Sequence, residues 1–208
     1  YVQEVEGEFL DIGDALIPNS LLMEALTDDK PKGRVKYYMG VDVARTGRDE
    51  TVFTVVGVDE EDTVFIEEVY AESQSNVAGR IGDFVQQFHL ETVFIDETGL
   101  GGGLVDLCRE RDIPTRGVMF SLQEKADMYK NLRLLFENHK IKLKNINKMV
   151  YQLSYLRREY TESGIMKIKS YEHDDYPDSL VLACRAVNTG EGWHVMSMGK
   201  ALKESLFG

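Results

Sequence analysis

Three acidic groups in the sequence stand where a carboxylate is costly to keep. Asp42 lies inside the otherwise apolar run Gly40-Val41-Asp42-Val43, and Asp96 closes a second one, Val93-Phe94-Ile95-Asp96. A buried carboxylate costs several kcal/mol unless it is paired or bound to a cation, so each needs a reason. The third group, His173-Asp174-Asp175-Tyr176-Pro177-Asp178, precedes a predicted helix, with Pro177 in the first turn where a missing N–H does no harm. Singly, a strand-end aspartate can open a loop, and Asp174 or Asp175 can cap the helix. If the two strands are neighbours and the helix crosses beneath them, Asp42, Asp96 and Asp175 meet at one point. Three carboxylates at one point repel, and their protons are held more tightly unless a cation neutralises the group. Oxygen-only ligands suit Mg²⁺ or Mn²⁺ rather than structural zinc. Two such ions about 4 Å apart can activate a water and stabilise the leaving oxygen of an in-line displacement at phosphorus. The chemistry these residues fit is phosphodiester hydrolysis.

The elements that must position them follow from hydrophobic periodicity. Residues 35–43, 51–58 and 63–70 are rich in β-branched and aromatic side chains and are separated by short loops, which predicts an antiparallel three-strand meander. Helical spacing of Val77, Ile81, Phe84, Val85 and Phe88 predicts a helix over 76–88, followed by a strand at 92–96. Strands and helices then alternate, with a helix at 103–111, a strand at 115–119, and helices at 124–138 and 146–160. An alternating strand or hairpin arm at 165–169 and a last helix at 177–187 complete the series. Three antiparallel strands feeding parallel βα units make an α/β fold, a mixed sheet flanked by helices. In such sheets reactive groups collect where the parallel strands end. Residues 1–34 are acidic, carry one apolar stretch at 16–26 and end in a turn-rich segment, so they are expected to be a linker. The domain proper is expected over 35–187, with a tail at 188–208.

With 208 residues, 43% hydrophobic and 29% charged, the chain has room for one core of ordinary size plus an appendage. No run approaches the eighteen or so apolar residues of a membrane helix, and the N-terminus lacks a signal-peptide pattern, so a cytoplasmic protein is expected. The first residue, Tyr1, points to a piece of a longer polypeptide. Cys108 and Cys184 sit in apolar stretches without CxxC spacing and are expected to be buried free thiols. A net charge of -12 argues at first against a nucleic-acid partner. The distribution of that charge points the other way: residues 125–169 hold eleven Lys and Arg against four Asp and Glu, +7 in all, and leave -19 to the remainder. Lys140, Lys142, Lys144, Arg157, Arg158, Lys167 and Lys169 are therefore the candidate DNA-binding residues, in the segment that holds two predicted helices and the arm at 165–169. A solvated basic surface is the plainer alternative.

Three blocks occur in order: Tyr38-Met39-Gly40-Val41-Asp42-Val43-Ala44 with the loop Thr46-Gly47-Arg48-Asp49-Glu50-Thr51; Phe94-Ile95-Asp96-Glu97-Thr98-Gly99-Leu100-Gly101; and His173-Asp174-Asp175-Tyr176-Pro177-Asp178-Ser179-Leu180. Together, over roughly residues 35–187, they resemble the nuclease domains of tailed-phage large terminases. The resemblance implies a ribonuclease H-like fold in which Asp42, Asp96 and an aspartate of the third block hold two Mg²⁺ or Mn²⁺ ions. Asp175, nearest the helix start, is favoured, with Asp174 as helper or alternative. Asp178, one helical turn beyond Asp174, supports the site or favours the helix N-terminus. His173 is ranked low as a proton shuttle.

The same resemblance implies cutting of double-stranded viral DNA during genome packaging, in the host cytoplasm at the procapsid. Its partners would be an ATPase half of the same polypeptide, a small terminase subunit and the portal protein. No GxxxxGK[ST] occurs in this chain, and residues 1–34 resemble the segment that joins the two halves. The run Gly99-Leu100-Gly101-Gly102-Gly103 lacks a phosphate-loop lysine and is expected to let DNA backbone or a neighbouring loop come close. Rival readings are a Holliday-junction resolvase or transposase-like recombinase of the same superfamily, an actin-like or sugar-kinase lobe, and a non-catalytic DNA-binding module. Branched-DNA cutting would mark the first and nucleotide binding the second, while Asp42 has no use in the third.

Overall fold

The structure, a computed structural model, describes residues 13–44, 50–73, 76–170 and 173–187. The meander forms as predicted: β1 (Lys36–Asp42), β2 (Thr51–Val58) and β3 (Val64–Glu72) pair antiparallel in sequence order. β2 is buried along its whole length, as a central strand with an apolar sequence should be. Helix α2 (Val77–Phe88) then crosses back to β4 (Thr92–Asp96), which pairs parallel with β1. Helix α3 (Gly101–Glu110) leads on to β5 (Thr115–Val118), parallel to β4. Ahead of the sheet lies α1 (Asn19–Ala25). The final sheet order is β5-β4-β1-β2-β3-β6, where β6 (Ile141–Lys142) is a two-residue strand.

Side chains alternate across a strand, and the two faces of this sheet carry two cores. Met39, Val41, Phe53, Val55, Val93 and Ile95 pack with Ile81, Phe84 and Val105 of α2 and α3. Val52, Val56 and Phe94, on the opposite face, join α4 (Leu122–Glu137), α5 (Asn147–Ser154) and α6 (Asp175–Ala183). Leu16, Ile17, Leu22 and Ala25, from the segment expected to be a linker, belong to this second core. Cys108 and Cys184 are buried and free, as expected. Among the described residues no helix is long and apolar enough to cross a membrane.

The chain departs from its periodicity at one place that matters for the site. The spacing of Met149, Val150, Leu153, Leu156 and Tyr160 predicts a single helix over 146–160, but α5 stops at Ser154. Residues Arg157–Tyr160 form β7, paired antiparallel with β8 (Met166–Lys169). Long-range backbone bonds decide this: Leu16 N–H donates to the Leu156 carbonyl at 3.0 Å, and Arg158 N–H to that of Asp14 at 2.9 Å. The hairpin turns through Gly164 at φ +79°, a conformation that favours glycine. Arg157 and Arg158 therefore sit on a strand, not on a helix.

Candidate active site

Asp42 and Asp96 end neighbouring parallel strands. The register sets Val41 of β1 opposite Ile95 of β4, so the next positions, Asp42 and Asp96, stand side by side at the carboxyl end of the sheet. Alternation turns both toward the face that α6 covers, since Phe94, two residues before Asp96, packs in that core. Gly40, two residues before Asp42, is what brings the helix down. A Cβ at Gly40 would lie 2.0 Å from the Ser179 carbonyl oxygen and 2.5 Å from the Ala183 nitrogen, so the backbone of α6 rests directly on β1. Thr54 and Ser179 join their hydroxyls at 2.7 Å and fix the helix against β2. The first turn of α6 then delivers Asp175 and Asp178, three residues apart and so on one helix face, beside Asp42. Asp96 is steadied by the Thr98 N–H, which donates to its Oδ1 at 2.9 Å. Gly101 does for α3 what Gly40 does for α6, because a Cβ there would fall 1.7 Å from the Asp96 carbonyl oxygen. The glycine run thus serves close approach of a neighbouring element, with Gly101–Gly103 as the first turn of α3.

The electrostatics confirm that the acids share one locality. Burial, followed by the charges of Asp178, Asp175 and Asp96, pushes the Asp42 carboxyl up to about 8, against a smaller opposite pull from Lys125. Burial also raises Asp178, to about 6, even though Lys125 pulls it back. Lys125 Nζ donates to Asp178 Oδ2 at 2.7 Å and to Asp174 Oδ2 at 2.8 Å, while the buried Tyr129 hydroxyl donates to Asp178 Oδ1 at 2.6 Å. His173 Nδ1 lies 4.0 Å from Asp175 Oδ2. The structure therefore gathers Asp42, Asp96, Asp175 and Asp178, and sets Asp174 beyond them on Lys125. Asp178 acts on Asp42 more strongly than Asp175 does, whereas position in the sequence favoured Asp175. Among the described residues no three His, Cys, Asp or Glu side chains converge tightly enough to hold one ion. In chemistry the donor set fits Mg²⁺ or Mn²⁺, being carboxylate oxygen throughout.

Lys125, Tyr129 and Lys148 are site residues that sequence reasoning did not single out. Lys125 and Tyr129 are four apart and so share one helix face, a usable signal, but their partners lie 49 to 53 residues further on. Lys148, at the start of α5, pairs with Glu50 and stands over the Tyr176 ring at 4.9 Å. With Lys125, it is a member of the basic segment that borders the third acidic block. Lys140, Lys142 and Lys144 are not brought to the carboxylates. β6 pairs with Val64 and Phe65 at the end of the sheet where β1 begins, about 20 Å of strand away from Asp42. There Lys140 donates to the Glu61 carbonyl and Lys144 to that of Glu67. Arg157 binds the carbonyls of Ser154 and Leu156, and Arg158 that of Gly13. Lys167 is exposed on β8, and Lys169 pairs with Glu159 across the hairpin. The hairpin leads into α6, so Lys167 and Lys169 are nearer in sequence to the acidic block than the other candidates are.

A family described as the terminase RNaseH-like domain matches residues 39–186. No curated protein matches the chain. Among solved structures, the chain is similar to the large terminase nuclease of thermophilic phage G20c with bound magnesium, at 20% identity and a TM-score of 0.70, over 84% of this chain and 98% of that one. It is similar also to a mutant nuclease domain of the large terminase subunit of bacterial virus Sf6 with manganese and beta-thujaplicinol, at 14% identity and a TM-score of 0.64, over 82% of this chain and 98% of that one. The bacteriophage HK97 large terminase matches at 11% identity and a TM-score of 0.67, over 83% of this chain and 43% of that chain. The family match and these likenesses establish the ribonuclease H-like fold that the resemblance of the three sequence blocks implied.

Proposed function

The chain belongs to the terminase RNaseH-like domain family, and from that premise we propose that it is a divalent-metal-dependent endonuclease that hydrolyses phosphodiester bonds of double-stranded viral DNA during genome packaging. The observation that carries this reading is the carboxylate cluster at the carboxyl ends of β1 and β4, where Asp42 and Asp96 meet the first turn of α6. Asp42, Asp96, Asp175 and Asp178 would hold the ions, with Asp174 beside them on Lys125. Bound there, two Mg²⁺ or Mn²⁺ ions would supply an activated water and stabilise the leaving oxygen. The chain's own residues arrange the donors. Thr98 N–H orients Asp96, Tyr129 and Lys125 fix both oxygens of Asp178, and the Gly40 contact sets the depth of α6. Lys148, beside Tyr176, would provide positive charge next to the cluster for a phosphate backbone, and the exposed lysines of the hairpin that leads into α6 would add to it.

The remaining partners follow from the same reading. The HK97 large terminase is more than twice as long as the part this fold matches, which supports a nuclease half joined to an ATPase half. A small terminase subunit and the portal, at the procapsid in the host cytoplasm, would then bring DNA to a nuclease that selects little by itself. Tethering raises the local DNA concentration without new contacts in the nuclease. Digestion of unrelated plasmids tests this directly. Mg²⁺ or Mn²⁺ is expected to allow cutting by micromolar protein, EDTA to stop it, rising salt to weaken it steeply, and the mapped ends to be dispersed. Cutting that persists in EDTA contradicts the metal reading, and cutting by nanomolar protein at one defined sequence contradicts the tethered-partner reading.

A further inference from the structure

Lys125 holds an unusual place for an ammonium. Its Nζ bridges Asp174 and Asp178 at 2.8 and 2.7 Å, its side chain is only 24% exposed, and it stands 5.6 Å from the Phe120 ring and 5.8 Å from that of Tyr129. With Tyr129 on Oδ1 and Lys125 on Oδ2, both oxygens of Asp178 are already engaged. An ordinary structural ion pair matches one charge with one charge. Here a single ammonium serves Asp174 and Asp178, with Asp42, Asp96 and Asp175 close enough to act on one another. A cation that came to Asp178 Oδ2 would meet the ammonium first.

Resting on the metal-dependent reading above, we propose that Lys125 is the tethered cation of the site: its ammonium competes with divalent ions for Asp178 and so sets the metal concentration at which the site loads. Two like-signed cations cannot share one carboxylate oxygen at hydrogen-bond distance without strong repulsion. Metal binding at Asp178 therefore requires the ammonium to swing toward Asp174, or to give way. Lys125 also keeps Asp178 aimed inward before any ion arrives, because its partner Asp174 anchors it from the outer side of the same helix turn. It is a positioning residue, not a catalytic one. The metal-free cluster is thereby held together by the same side chain that raises its threshold for metal.

The test is a Mn²⁺ titration of the full chain without DNA at pH 8, followed by the electron paramagnetic resonance of the free aquo ion. Lys125→Met is expected to bind Mn²⁺ at least tenfold more tightly than the parent chain, and Lys125→Arg, which keeps the charge, to stay within about threefold. Lys125→Gln guards against a folding failure of the Met variant, and the same gain is expected from it. Adding Asp178→Asn to either variant should erase the gain, since the competed oxygen is then gone. A folded Lys125→Met or Lys125→Gln chain whose Mn²⁺ affinity is unchanged or weaker overturns the proposal. A gain that survives Asp178→Asn also overturns it, because Lys125 would then act only through general charge. A parent chain that binds no Mn²⁺ overturns the metal reading itself, and this inference with it, so the two failures are told apart.

Discussion

Asp42→Asn is expected to lower DNA cutting by at least about a thousandfold and, at pH 8 without metal, to raise the melting temperature of the chain. The first effect follows from removing a charged ligand from the cluster: a bound ion supplies several kcal/mol of transition-state stabilisation, and each 1.4 kcal/mol or so is worth tenfold in rate. The second follows from the carboxyl held at about 8 by burial and by Asp178, Asp175 and Asp96. Its unfolded value is near 3.9. A carboxyl whose folded value is raised contributes stability that is fully present below the unfolded value, and that stability is lost as pH rises through the folded one. Between about pH 4 and pH 8 the parent chain therefore weakens steadily, and above pH 8 it bears the full cost of the buried charge. Asn bears none of it. Relaxation around the group keeps the gain to a few kcal/mol, which for a chain of this size is several degrees. Melts in EDTA at pH 5 and pH 8 read this out, with the gap between variant and parent small at pH 5, wide at pH 8, and narrowed again when Mg²⁺ is added. An Asn variant that melts lower than the parent at pH 8, or that still cuts normally, would remove Asp42 from the centre of the site.

Gly40→Ala is expected to lose most of the cutting activity with every carboxylate intact, and to cost about 3 kcal/mol of stability. The methyl group would enter the backbone of α6 at Ser179 and Ala183, where no flexible side-chain end can yield. The helix must lift from β1, and Asp175 and Asp178 lift with it. Gly103→Ala is the matched control, because nothing lies within 4 Å of its would-be Cβ and its helical setting favours Ala by up to about 1 kcal/mol. Urea denaturation of the two variants, alongside plasmid cleavage, separates packing from composition. If Gly40→Ala is as stable and active as Gly103→Ala, α6 does not rest on β1 as described.

The sheet and its acids were largely legible because both depend on short-range pattern. Apolar runs marked β1 and β4, and a carboxylate at the end of each becomes a pair once the strands are neighbours. Pro177 marked the first turn of α6, and Asp178 fell on the same face as Asp175. What the pattern hid was decided by distant contacts. Residues 146–160 have helical spacing throughout, and it is pairing with β8 together with the backbone of Asp14 and Leu16, some 140 positions earlier, that draws residues 157–160 into a strand. Lys125 and Tyr129 read as ordinary members of a long helix until α6 comes beside them. A charge count along residues 125–169 has no sense of direction in the sheet, so it joined Lys140, Lys142 and Lys144 to the site, although they stand at its opposite end. Nor could the count show that Lys148, the one basic residue of α5, borders Tyr176.

Diffraction from crystals grown with Mn²⁺, recorded at the manganese absorption edge, tests most directly whether this carboxylate cluster is a metal-dependent cutting site. Two anomalous peaks about 4 Å apart are expected between the carboxyl ends of β1 and β4 and the first turn of α6, touching Asp42, Asp96 and at least one of Asp175 and Asp178. Manganese bound only elsewhere, in a protein whose DNA cutting still requires the metal, would contradict it.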